Sequence, residues 1–209
     1  MIFSRLFFLY LFFPICFLCY FATKKNAYRN TVLIVFSLLF YAWGEPSFLW
    51  LLVLSALVNY LFGRLLERFR DKGAGKLFLA LALILNLGVL IGFKYTGFVL
   101  ENINAAFSLS IPIPDLPLPL GISFYTFQAI GYLIDCFRGR HPAEKNPARF
   151  LLFISFFPQL IQGPINRYGA MEPQLTAAHS WEWERTKRAL FVILFGAMKK
   201  YAIANLTAP

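Results

Sequence analysis

The sequence predicts an all-α protein that crosses a membrane several times. Three observations predict it. Apolar residues fill 59% of the 209 positions and charged residues only 14%, where a soluble domain carries about 45–50% and about 25%. The apolar residues gather in long runs, too many for a chain of this length to bury in one soluble core. Lys and Arg sit in the short stretches between runs, as they do in cytoplasmic loops. The formal net charge of +10 is therefore explained by topology, and no nucleic-acid partner is called for.

Residues 6–22 form the first apolar run. It is longer than a usual signal-peptide core, lacks a small-residue cleavage site and is followed by Lys24, Lys25 and Arg29, so it reads as a retained span. Runs 31–43 and 47–63 are separated at Glu45-Pro46, because the residue before proline avoids helix. Residues 64–76 carry five basic and two acidic side chains, and run 77–93 follows. Lys94, Glu101, Asn102 and Asn104 interrupt residues 94–108, which suit a short helix at the interface. Four prolines within residues 111–119 forbid a regular helix and predict a stiff extended connector. Residues 120–137 are another span, and 138–149 another basic loop. Residues 150–165 are apolar but short, broken by Pro158, Gly163 and Pro164. Residues 166–188 are polar and suit a surface-lying stretch. Residues 189–206 form the last apolar helix, which carries the adjacent Lys199 and Lys200.

Loops 24–30, 64–76 and 138–149 carry three, five and four Lys or Arg. Placed together in the cytoplasm, they are separated each time by two spans, so the count closes. Segment 150–165 then has basic sequence on both sides. A re-entrant segment satisfies that arrangement, and an ordinary kinked helix is the alternative. Broken backbone at membrane depth survives only when buried in protein or lining a cavity. No internal repeat of the kind found in transporters is visible.

Cys16 and Cys19 form a CxxC inside an apolar run with no second pair, and Cys136 stands alone. All three read as free thiols. His141 and His179 lie in polar loops without a carboxylate or cysteine at ligand spacing, so no metal site is predicted. Within residues 119–140, Tyr125, Gln128, Tyr132 and Asp135 recur at steps of three, four and three, which stacks them on one helical face. Polar groups are costly in lipid, so this stripe faces protein or water. It is read either as hydrogen-bonding glue between helices or as part of a substrate path. Asp135 also lies about one turn before Arg138, within reach of a helix-end ion pair. In residues 156–167, Gln159 and Gln162 are amides in a Pro/Gly-broken stretch; they either cap the broken helix internally or meet a ligand.

The ordered segments PLGISFYTFQ (119–128), DCFRG (135–139), FFPQLIQGPINR (156–167) and GAMKKYAIANLTA (196–208), with YAWGEPSFLWLL (41–52) before them, resemble the membrane-bound O-acyltransferase family. The branch most resembled is the bacterial one typified by alginate O-acetyltransferases and the D-alanyl transfer protein of teichoic acids. The resemblance covers essentially the whole chain, read as one transmembrane domain over residues 1–209, the N-terminal part of a longer domain.

The resemblance implies about half of a ring of tilted helices around a tunnel, in the inner membrane of a bacterium. It implies that an acyl thioester donor such as acetyl-CoA delivers its acyl group from the cytoplasmic side, with no bound cofactor. The acceptor is a hydroxyl of an extracytoplasmic polysaccharide, or a partner transferase. It further implies a histidine base in an apolar setting. Neither His141 nor His179 falls at that motif, so no catalytic residue is carried over, and this stretch alone is expected to be inactive. The positions that match tunnel-side motifs are Gln128, Tyr132, Asp135, Arg138, Gln159, Gly163, Pro164 and Arg167. A non-catalytic membrane scaffold or partner subunit is the alternative. A transporter is a third reading, disfavoured by the lack of repeats and of an embedded acidic cluster.

Overall fold

The computed structural model describes residues 7–161, 163–177 and 179–200. All regular structure among them is helical. A π-turn at Phe8–Phe12 leads into α1 (Phe13–Phe21). Then follow α2 (Asn26–Gly44), a 3-10 turn at Pro46–Phe48, α3 (Leu49–Phe69), α4 (Gly73–Lys94) and α5 (Thr96–Phe107). After the proline-rich connector come α6 (Ile122–Phe137), α7 (Pro147–Ser155), the single turn α8 (Phe157–Leu160), α9 (Tyr168–Thr176) and α10 (Trp183–Met198).

Two helices, Pro46–Phe69 and Gly73–Lys94, are long and apolar enough to cross a membrane, and a shorter apolar helix spans Phe8–Phe21. Only 33% and 17% of the apolar stretches of the two long helices are buried, where the core helix of a soluble protein would be mostly buried. On α4 the buried positions are Gly75, Ala82, Asn86 and Leu90, while Leu77, Leu81, Ile84 and Ile91 point outward. Apart from Leu90, small and polar groups face inward, and many large apolar ones face out, an arrangement that suits lipid as the surrounding solvent.

The chain forms two compact units. Residues 30–176 make one; residues 2–29 and 177–209 make the other. In the first, α3, α4 and α6 pack mutually, α7 lies on α3 and α6, and α9 lies on α6 and α7. Its core includes Leu52, Ala56, Leu66, Leu133, Phe150 and Phe153. Asn59 on α3 and Asn86 on α4 exchange amide hydrogen bonds of 3.1 and 2.8 Å in the buried interface. Each amide also donates to a carbonyl one turn back in its own helix, at Ser55 and Ala82.

Local sequence sets the boundaries of α6 and α7. Gly121, at φ +69°, precedes α6, and a Cβ there would collide with the carbonyl oxygen of Leu160. Glycine is thus required both for the left-handed backbone and for the close approach of α8. Gly139, again at φ +69°, ends α6 with a left-handed cap in which its N–H reaches Cys136 O and that of Arg140 reaches Asp135 O. Asn146 caps α7 by accepting from Ala148 N at 2.9 Å, with Pro147 at the first helical position. The backbone breaks at Phe156, turns once more as α8, and among the described residues has no regular structure from there through Arg167.

The connector is free of regular structure, as its prolines predict. Asn104 grips one end with two hydrogen bonds to the backbone of Ile111, and the Glu45 carboxylate grips the other by accepting from Leu120 N at 2.6 Å. Several boundaries differ from the sequence reading: α3 runs on past residue 63 to Phe69 and α4 begins at Gly73 rather than 77, so that most of the predicted loop 64–76 is helical. The helix predicted over 31–43 begins at Asn26, and the last helix, predicted from residue 189, begins at Trp183. The charges at 184–188 disguise that start, yet they continue the same helical turn. Residues 201–206 of that predicted helix, and Leu6 of the first run, lie outside the described residues.

In the second unit, α1 and α10 flank the segment 179–182. Phe17 and Phe21 meet Trp181 edge-on, with ring centroids 5.1 and 5.4 Å apart.

Candidate functional site

Helix α6 buries one continuous face: Ile122, Tyr125, Thr126, Gln128, Ala129, Tyr132, Leu133 and Cys136. The polar stripe expected from spacing is therefore turned inward, and its two halves differ.

In the carboxyl half every polar side chain is engaged. Tyr132 OH accepts from Glu144 N at 3.0 Å. The Glu144 carboxylate accepts from Lys145 N and Asn146 N, at 2.7 Å each, and from the hydroxyl of Tyr168 on α9. Rings close over this knot. Tyr132 lies 4.5 Å from Phe150 and 5.2 Å from Tyr168, and Tyr168 in turn packs against Phe153 and His141. Gly63 on α3 lets the Tyr132 ring approach to a distance that any Cβ would block. Burial, then the bond to Glu144 and its charge, push the Tyr168 phenol above its ordinary range, so it remains a donor to Glu144. Nearby, Glu67 accepts from Ala143 N at 3.1 Å and pairs with Arg64 at 2.9 Å. Asp135 pairs with Arg140 at 3.6 Å. That corrects the expected Asp135–Arg138 pair: the left-handed turn at Gly139 swings Arg140 back over the helix end and leaves Arg138 exposed.

In the amino half three buried polar atoms have no hydrogen-bond partner among the described residues. Both amide atoms of Gln128 and the hydroxyl of Tyr125 are buried without a hydrogen bond, and so are the hydroxyls of Tyr41 on α2 and Ser155 at the end of α7. Each of these residues is at most 1% exposed. Glu45 acts electrostatically on both Tyr41 and Tyr125. Buried polar groups are nearly always paired, so a set of unpaired ones marks where something else supplies the partner.

Gln159 settles into the capping role: its amide donates to Phe153 O and accepts from Asn166, both at 2.9 Å. Gln162 lies outside the described residues. Gly163, at φ +154°, Pro164 and Arg167 are exposed, and the Arg167 carbonyl starts α9 by accepting from Ala170 and Met171. Of the eight positions singled out in the sequence, the fold thus buries Gln128, Tyr132 and Gln159, ties Asp135 to the helix end and leaves the other four at the surface.

Sequence reasoning missed Glu144, Tyr41, Ser155 and the Asn59–Asn86 pair. Glu144 carried a signal as the one acidic residue of an otherwise basic loop, and the two asparagines as lone amides inside apolar runs that demand partners.

Along its whole length the chain is 38% identical to a probable alginate O-acetylase of Pseudomonas syringae, covering 41% of that protein. It is 40% identical to the probable alginate O-acetylase of Pseudomonas putida, covering 44%. It is 33% identical to the peptidoglycan O-acetyltransferase of Helicobacter pylori, covering 45%. The chain thus spans less than half the length of these curated relatives. No family model matches the chain, and no solved structure does.

Proposed function

We propose that this chain, related over its whole length to O-acetylases of alginate and peptidoglycan, is the N-terminal part of a membrane-bound O-acyltransferase of the bacterial inner membrane. It would move an acetyl group from a cytoplasmic thioester, such as acetyl-CoA, to hydroxyls of a cell-envelope polysaccharide, directly or through a partner transferase. The observation that carries this reading is similarity along the whole of this chain to part of relatives named for two different polymers. O-acetylation is what those names share; the acceptor differs between them and is not inherited.

On this reading the chain crosses the membrane several times with loops 24–30, 64–76 and 138–149 in the cytoplasm. Segment 150–165 enters and leaves on one side. Its break at Phe156 and the irregular backbone after Leu160 are in keeping with a re-entrant segment buried in protein. The unpaired atoms of Tyr41, Tyr125, Gln128 and Ser155 supply what a passing acyl carbonyl needs: donors held in a water-poor setting, where each hydrogen bond counts for more than in water. No general base is assigned within this stretch, and proton removal from the acceptor hydroxyl belongs to another part of the enzyme.

The test is genetic and chemical. Deleting the gene should lower ester-linked acetate in the isolated envelope polysaccharide, and the full-length protein should restore it where a Gln128→Leu variant does not. Unchanged acetate in the deletion strain would sink the reading.

A further inference from the structure

The second unit contains a buried cation with no counter-ion among the described residues. Arg29 is 5% exposed. Its guanidinium donates to Thr23 O at 2.9 Å and to His179 O at 2.6 Å, and it lies over the rings of Tyr20 and Phe21 at 5.1 and 5.4 Å. No carboxylate pairs with it among the described residues. A guanidinium carries five N–H donors, and carbonyl oxygens take up only part of them. A buried charge without a partner is costly, and the adjacent Thr23 hydroxyl is also buried without a hydrogen bond. Both ask for an anion.

The space beside Arg29 is suited to one. A cavity of about 520 Å³ is lined by Phe21, Lys24, Arg29, His179, Ser180 and Trp181. It shares Phe21, His179, Ser180 and Trp181 with a second cavity of about 530 Å³, an apolar groove whose walls include Phe13, Phe17, Leu190 and Ile193. Arg185 and Glu182 also border the groove, and the Glu182 carboxylate receives a long bond from the Ser180 hydroxyl. A cationic chamber therefore opens into an aromatic and aliphatic channel. A small soluble anion would occupy the chamber and leave the channel empty. A molecule with an anionic head and a long apolar tail occupies both.

We propose that this unit binds an anionic phospholipid, with its phosphate on Arg29 and Lys24 and an acyl chain in the groove beside Trp181. The proposal rests on residues of the second unit alone, not on the transfer reaction proposed above.

Trp181 and Trp183 line the groove, so bound lipid can be read by quenching. The full-length protein, with Trp43, Trp50 and any other tryptophan outside the groove replaced by phenylalanine, is titrated in detergent micelles with brominated phosphatidylglycerol or brominated phosphatidylcholine. The expected result is half-maximal quenching at a mole fraction about fivefold lower for phosphatidylglycerol, the scale set by one cation at a lipid phosphate. Arg29→Gln should abolish that preference. Should that variant fail to fold, Lys24→Gln, an exposed position, should reduce the preference about twofold. Equal quenching by the two lipids, or a preference that survives these substitutions, overturns the proposal. So does relief of quenching by inorganic phosphate or coenzyme A at constant lipid, which would assign the chamber to a soluble phosphate. Absence of quenching by either lipid would mean that protein fills the groove, and overturns it equally.

Discussion

The two halves of α6 are built from similar residues and treated in opposite ways. Around Tyr132 each polar atom is matched, with Glu144 collecting three donors from two segments. At Tyr125 and Gln128, one to two turns earlier on the same helix, the phenol and both amide atoms are unmatched. The first arrangement fixes structure. The second leaves unmet hydrogen-bonding capacity inside the protein, which costs stability unless a further group completes it. Polarity on a buried helical face therefore does not by itself distinguish scaffold from site; the state of its partners does.

Substitutions can sharpen or break that contrast. The largest stability loss is expected from Glu144→Ala, which strands the Tyr168 hydroxyl and two backbone N–H groups: about 3 kcal/mol, read as a lowered Tm in detergent. Should it cost no more than Gln128→Leu, the two halves are not different. Gly121→Ala should cost about 2 kcal/mol from the left-handed backbone alone, with the Leu160 contact adding to it, and denaturant titration measures this. Asn59→Leu should cost about 1 kcal/mol by orphaning Asn86, while the Asn59→Leu/Asn86→Leu double variant recovers most of the loss. Additive losses in that cycle would mean that the amides do not act as a pair. Gln128→Leu should change stability by no more than about 0.5 kcal/mol, because no hydrogen bond is lost. In the full-length protein it should nonetheless lower acetyl transfer about tenfold, as measured by ester-linked acetate.

The smallest effect belongs to alkaline solution. The folded state holds the Tyr168 phenol above its ordinary range, so it favours the protonated form. That contribution is complete below pH about 10, where a free tyrosine begins to ionise, and declines as the pH rises beyond it. Stability of the unsubstituted protein should therefore fall more steeply than that of Tyr168→Phe above that pH. Parallel curves would remove Tyr168 from the knot.

Much of the helical plan was legible because it depends on local pattern. Four prolines marked the connector, the three–four–three spacing marked the inward face of α6, and Pro158 with Gly163-Pro164 marked the broken stretch. The start of α10 was hidden because charged residues there continue a helix that an apolar count ends at residue 189. Glu144 was illegible for a different reason. Its partners come from α6, α9 and its own loop, and nothing in one stretch of sequence brings them together. The requirement for Gly121 likewise arises from Leu160, a residue far along the chain. Spacing located the buried polar face, but only the fold reveals which of its members remain unsatisfied.

The connector between α5 and α6 has a mechanical consequence. Asn104 clamps it at Ile111, and Glu45 clamps it at Leu120. Proline rings fix φ at four of the eight positions between these clamps. The strap behaves as a tie rod rather than a hinge, so displacement of α5 is passed to the first turn of α6 with little damping. Replacing its prolines with glycine would preserve both clamps and uncouple what they join.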